Sequence, residues 1–198
     1  MRWVLPHFTT CGNLSCGFLA LLFAASDDFS IAAAFVLVAA ALDLLDGAVA
    51  RNGDEEGERL AEFGKNLDSL ADVVSFGAVP AFAAYVAVLH AVPVAGLAGC
   101  LALFVCGALR LARFPLVGSQ DRFIGLPIPP AGLFITALTA LEPPPLVLLA
   151  ALAATSVLMV STIPFPTPAS IFGPRKPRYG EQSQENLPAT RPSSQRKS

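Results

Sequence analysis

Six apolar runs separated by short polar breaks organise this chain, at about 8–25, 30–50, 66–89, 94–112, 127–141 and 145–163. A helix that crosses the hydrocarbon core needs roughly 20 mostly apolar residues. Each run is therefore expected to be a transmembrane helix. The fifth is short and opens on IPP, where proline suits a first helical turn. The breaks are SDD at 26–28, a charged stretch at 51–65, HAVP at 90–93, the segment from Arg113 to Pro127, and EPPP at 142–145. Within the charged stretch, Asp54, Glu55, Glu56, Glu58, Arg59 and Glu62 are expected to form a solvated cap, with a short juxtamembrane helix as the alternative. From Ile163 the chain turns Pro-, Ser- and Gln-rich, the composition of a segment that cannot bury a core. The expectation is an all-α polytopic membrane protein, with a six-helix domain over 1–165 and a disordered basic tail over 166–198. Pro80 should kink the third helix. Gly96, Gly99 and Gly107 should let the fourth approach a neighbouring helix closely, for instance across a homodimer interface.

Composition agrees. Hydrophobic residues make up 54% and charged residues 14%, against about 25% charged in a soluble domain. The first run carries Thr9, Asn13 and Ser15 and lacks a signal-peptidase-like site, so it reads as retained. Cys11, Cys16, Cys100 and Cys106 lie in apolar runs without metal-ligand spacing, and read as small packing residues. Orientation follows from the basic residues. With the N-terminus inside, all 13 Lys and Arg fall on the inner side: Arg2, then Arg51, Arg59 and Lys65, then Arg110, Arg113 and Arg122, then six in the tail. The outer loops hold only Asp27, Asp28, His90 and Glu142. This split predicts cytoplasmic N- and C-termini.

Charge in the wrong place is the functional signal. The second run ends LDLLDGAVAR, and Asp43, Asp46, Gly47, Ala50 and Arg51 stand at offsets 0, 3, 4, 7 and 8, one face of an α-helix. The third carries Gly64, Asp68, Asp72 and Ser75 at offsets 0, 4, 8 and 11, again one face. At 1.5 Å per residue, Asp43 lies ~12 Å from Arg51 and Asp72 ~10 Å from Lys65 along their axes. The four carboxylates can thus meet at one level, just inside the cytoplasmic interface. Clustered there they would repel one another and be poorly solvated. One or two divalent cations relieve both penalties, and oxygen ligands without His or Cys point to Mg²⁺ or Mn²⁺. Gly47 and Ala50 leave room for a close ligand, and Arg51 could hold a phosphate. Spacing alone leaves three readings open: an enzyme site, an ion or solute pathway, and a structural polar seam.

These residues also fill every position of D-x2-D-G-x2-A-R followed by G-x3-D-x3-D, and so the chain resembles the CDP-alcohol phosphatidyltransferases. LDSLADVVSFGAVPA at 67–81, GALRLARF at 107–114, FIGLPIPPAG at 123–132 and PHFTTCGNLSCGFLA at 6–20 resemble the phosphatidylserine synthase branch of that family. The resemblance spans most of residues 5–160. It departs in a lengthened loop, NGDEEGERLAEF, between Arg51 and Gly64, in His7, and in Pro115 after Phe114.

The resemblance implies an integral membrane phosphotransferase for substituted phosphate groups, usually a homodimer, acting in phospholipid biosynthesis with its active site at the cytoplasmic face. It would transfer the phosphatidyl group of CDP-diacylglycerol to the hydroxyl of L-serine, giving phosphatidylserine and CMP. Carried over, Asp43, Asp46 and Asp68 are ligands of a centre of two divalent cations, Mg²⁺ or Mn²⁺. Asp72 is ligand and general base. Asp46, Gly47, Ala50, Arg51 and Gly64 line the CDP-lipid site, with Thr10 and Asn13 near the nucleotide. Arg110 and Arg113 could bind the serine carboxylate or the phosphate of another acceptor, or serve as positive-inside anchors. The functional reading is favoured for Arg113 and balanced for Arg110. Glycerol phosphate, inositol phosphate or choline as acceptor would keep the chemistry. A divalent-cation carrier is the reading from a different class; it would not need Gly47, Ala50 and Arg51 in register with the acids, and the chain shows no internal repeat. No nucleic-acid partner is expected.

Overall fold

The computed structural model describes residues 5–46, 55–113, 123–161 and 164–165, with backbone alone at 5–7, 46, 55–61, 123–124 and 164–165. The described chain is helical. α1 (Leu5–Ala25), α2 (Phe29–Asp46) and α3 (Glu55–Asp72) are followed by a π-helical segment (Val73–Ala78) that runs directly into α4 (Val79–Ala87). A 3₁₀ turn (Leu89–Ala91) then leads to α5 (Pro93–Arg113), α6 (Ile128–Thr139) and α7 (Pro145–Val160). Two-residue strands, β1 (Phe123–Ile124) and β2 (Pro164–Phe165), pair antiparallel, tying the approach to α6 to the segment after α7. The third apolar run of the sequence corresponds to the end of α3, the π-helical segment and α4 together.

Three stretches are long and apolar enough to cross a membrane: Phe8–Ala25, Glu62–Ala87 and Pro93–Arg113. Phe29–Leu45, Ile128–Thr139 and Pro145–Val160 are shorter apolar helices. At 1.5 Å per residue α6 is only ~18 Å long, because Pro127 caps it at one end and the turn at Ala140 and Leu141 closes it at the other. The charged stretch is not a separate cap. From Glu55 onward it is helical and continuous with α3, and Glu62 and Lys65 are exposed. Residues 51–54, the Pro115 and Arg122 segment, and 166–198 lie outside the described residues.

Small side chains set the packing around α1. Ala20 and Ala24 on α1 face Ala32, Val36, Ala39 and Ala40 on α2, all buried. Without a hydrophobic drive between helices in lipid, close van der Waals approach through small residues does this work. Phe23 and Phe35 stack at the far end of the pair, with ring centroids 5.4 Å apart. The tight turn beyond them puts Asp27 at φ 63°, while Asp28 donates to Phe23 O at 2.9 Å, which closes the end of α1. α1 also packs against α3, the π-helical segment and α4. The buried hydroxyls of α6 and α7 are satisfied within their own helices, as Thr136 by Gly132 O and Ser156 by Leu152 O. The four cysteines are free thiols, and among them only Cys100 is buried.

Two expectations gain detail. The distortion in the third run is a π-helical stretch ahead of Pro80. Proline has no N–H to return to Phe76 O, and its ring crowds that carbonyl. The widened turn accommodates this, and Val79 donates to Val74 O five residues back. The glycines of α5 do serve the close approach expected of them, and the neighbours they meet are this chain's own residues. A Cβ on Gly99 would lie 3.2 Å from Leu149 of α7, and one on Gly107 would crowd Ile128 of α6 at 2.7 Å.

Phe76 O, which Pro80 cannot serve as donor, rests against Gly132 of α6, where an added Cβ would stand 2.5 Å from it. Gly132→Ala should therefore lower the unfolding midpoint in detergent, with a loss of about 1–3 kcal/mol for overpacking. An unchanged midpoint would mean that α6 does not seat on that carbonyl.

Candidate metal and substrate site

α1, α2, α3 and α5 each deliver polar groups to one region. Asp43 sits three residues before the last described residue of α2 and is half-buried. Asp68 and Asp72, one turn apart on α3, are half-buried and buried respectively, Asp72 at 6% exposure. One carboxylate oxygen from each of Asp43, Asp68 and Asp72 lies within 4.8 Å of the other two. Helical register brings Asp68 and Asp72 to one face, and the packing of α1 against both α2 and α3 brings Asp43 to meet them. The side chain of Asp46, and all of Gly47, Ala50 and Arg51, lie outside the described residues. Gly64 is half-buried two turns before Asp72.

The electrostatics of this arrangement are unfavourable without a counter-charge. Asp72 is desolvated and feels the like charges of Asp43 and Asp68. Three hard oxygen donors at this spacing, with no His or Cys in the cluster, fit a divalent cation of the Mg²⁺ or Mn²⁺ type. The geometry therefore fits the cation suggested by the sequence, with Asp43, Asp68 and Asp72 as the residues able to hold it.

Two donors approach Asp72 from outside the acidic trio. On α1, Asn13 is fully buried, and its Nδ2 stands 3.5 Å from Asp72 Oδ1. Thr10, one turn earlier, is buried as well. On α5, Arg110 is half-buried and electrostatically coupled to Asp72, and its Nε is buried without a hydrogen-bond partner among the described residues. Arg113, which the sequence favoured, is exposed. Three positions separate the two arginines, so they share one broad face and differ in exposure. Sequence patterning could not see that Asn13 reaches Asp72, because the two are 59 positions apart. Ser75, already on the acidic face by its spacing, turns out to be buried and to donate to Asn13 O at 3.2 Å.

Similarity to known proteins agrees with this geometry. Residues 3–167 match the model of the CDP-alcohol phosphatidyltransferase family. The chain is 36% identical over 163 residues to the CDP-diacylglycerol–serine O-phosphatidyltransferase of Bacillus subtilis, covering 82% of this chain and 89% of that protein. It is 40% identical over 167 residues to the archaetidylserine synthase of Methanothermobacter thermautotrophicus, covering 82% and 69%. A CDP-diacylglycerol–serine O-phosphatidyltransferase of Helicobacter pylori is 34% identical over 143 residues, 71% of this chain and 59% of that protein. The family match spans the whole helical region that carries the buried acids, and with these identities it makes the chain a member of the CDP-alcohol phosphatidyltransferase family.

Proposed function

We propose that this protein is a membrane enzyme that transfers the phosphatidyl group of CDP-diacylglycerol to the hydroxyl of L-serine, releasing CMP and forming phosphatidylserine. The observation that carries this reading is the clustered carboxylate trio of Asp43, Asp68 and Asp72, the last of them buried, inside a family match that spans it. The names of the relatives differ in the lipid, diacylglycerol or archaetidyl, and agree in serine. That agreement supports serine over glycerol phosphate, inositol phosphate or choline.

In this reading Asp43, Asp46, Asp68 and Asp72 hold the divalent cations, two in number by the family resemblance. When bound, the cations would neutralise the diphosphate and the leaving CMP. The protein's own groups do the rest. The serine hydroxyl attacks the phosphorus on the lipid side. A new P–O bond forms to serine as the bond to the CMP oxygen breaks, and Asp72 accepts the hydroxyl proton. Arg110, whose buried Nε has no partner among the described residues, binds the serine carboxylate and orients its hydroxyl toward Asp72. Arg113 would add positive charge at the entrance. Thr10, Gly47, Ala50, Arg51 and Gly64 border the CDP moiety.

The positive-inside distribution supports six spans with both termini cytoplasmic and the site opening to the cytoplasmic leaflet. The shorter helices α2, α6 and α7 then complete the crossings begun by the three long ones. The homodimer and the basic tail over 166–198 belong to the same reading; the tail's basic residues would attract anionic lipid heads.

Incubation of the purified protein with CDP-diacylglycerol, a divalent cation and separate alcohols tests the assignment. CMP release with serine is expected. Release only with another alcohol moves the assignment within the family, and no release with any refutes it. Asp72→Asn should lower kcat by at least about 100-fold, the lower bound for losing a general base; substantial turnover would remove Asp72 from that role. Arg110→Leu should raise the serine KM about 10- to 100-fold, as expected for losing a charge-assisted hydrogen bond, with the KM for the CDP-lipid preserved. Chelation of divalent cations should abolish release. Adding Mn²⁺ at 100 times its dissociation constant should stabilise the protein by about 2.7 kcal/mol, an effect that Asp68→Asn should diminish and that a bystander carboxylate would leave intact.

A further inference from the structure

The reaction does not by itself account for the way α1 is fastened to Asp72. Asn13 and Ser75 are both fully buried. The Asn13 carboxamide donates through Nδ2 to Asp72 Oδ1, while its Oδ1 has no partner among the described residues. The amide is therefore oriented by Asp72 alone. The Asn13 backbone carbonyl accepts from Ser75 Oγ at 3.2 Å. Asp72 and Ser75 flank the start of the π-helical segment, so one residue of α1 is held at two points by a short stretch of the neighbouring helix. Gly17, one turn further along α1, makes the approach possible, because a Cβ there would overlap the Ser75 side chain.

We propose that Asn13 is a positioning residue for the Asp72 carboxylate, and that Ser75 fixes the backbone from which Asn13 projects. This rests on the role given to Asp72 in the proposed reaction. The amide N–H engages one carboxylate oxygen and leaves the other for the cation and the serine hydroxyl. Without that donor the carboxylate rotates within the broad two-fold well of its terminal torsion. A neutral amide suits the task, because it donates without adding positive charge that would repel a cation. The 3.5 Å separation stands at the outer limit of a hydrogen bond, and it should tighten when the substrate complex assembles.

Asn13→Leu keeps the approximate shape and removes the donor. Its kcat for CMP release should fall about 10- to 100-fold, the loss typical of residues that orient metal-ligating carboxylates, with the KM for CDP-diacylglycerol and for serine near wild type. Mn²⁺ affinity, measured by calorimetric titration without substrate, should weaken in parallel. Ser75→Ala should move kcat and Mn²⁺ affinity the same way by a smaller factor, and it carries the test if Asn13→Leu does not fold. Wild-type kcat with wild-type Mn²⁺ affinity overturns the proposal. So does a raised KM for CDP-diacylglycerol with kcat kept, which would put Asn13 on the nucleotide. The Mn²⁺ titration needs no acceptor, so a wild-type protein that binds Mn²⁺ but releases no CMP with serine would count against the function and not against this positioning role.

Discussion

Three carboxylates held within 4.8 Å of one another, one of them almost wholly removed from water, form the constraint around which the rest of the structure is arranged. Such a cluster is tolerable in a low-dielectric setting only if an opposite charge sits among the oxygens or close beside them. Arg110 supplies part of that charge from α5, and a divalent cation fits the remainder. The site therefore favours the cation-bound state, and an anionic diphosphate can approach a centre that would otherwise repel it.

Holding that cluster together depends on backbone approach more than on large side chains. Alanines and Gly17 let α1 lie close to α2 and to the π-helical segment. Pro80 removes one donor from the helix just beyond the point where Asp72 and Ser75 face α1, and Gly132 of α6 lies against the Phe76 carbonyl that this proline cannot serve. A π-helical turn often marks a functional site, and here it immediately follows the residue assigned as base. The same helix thus supplies Asp68, Asp72 and the irregularity beside them.

Much of the chemistry was legible before any coordinates, because the relevant pattern is local. Asp68 and Asp72 are a helical turn apart, and a carboxylate inside an apolar run is conspicuous at any depth. Helical spans were also legible, since apolar runs in this range have few other structures available in lipid. Boundaries were less so. The helix begins at Glu55 because a solvated amphipathic stretch can continue a membrane helix without an apolar signal. The glycines of α5 showed only that something must come close, not that α6 and α7 of the same chain would be the neighbours.

By itself the sequence determined the element type and the faces on which the acids lie. These follow from helical periodicity and from the cost of charge in hydrocarbon, both properties of short stretches. Only the tertiary structure decided that Asn13 touches Asp72, that Arg110 is half-buried near the acids while Arg113 is exposed, and that a π-helical segment separates Asp72 from α4. Those facts depend on how helices distant in sequence settle against one another, and that is set by side-chain volumes and close backbone approaches that no periodic pattern encodes.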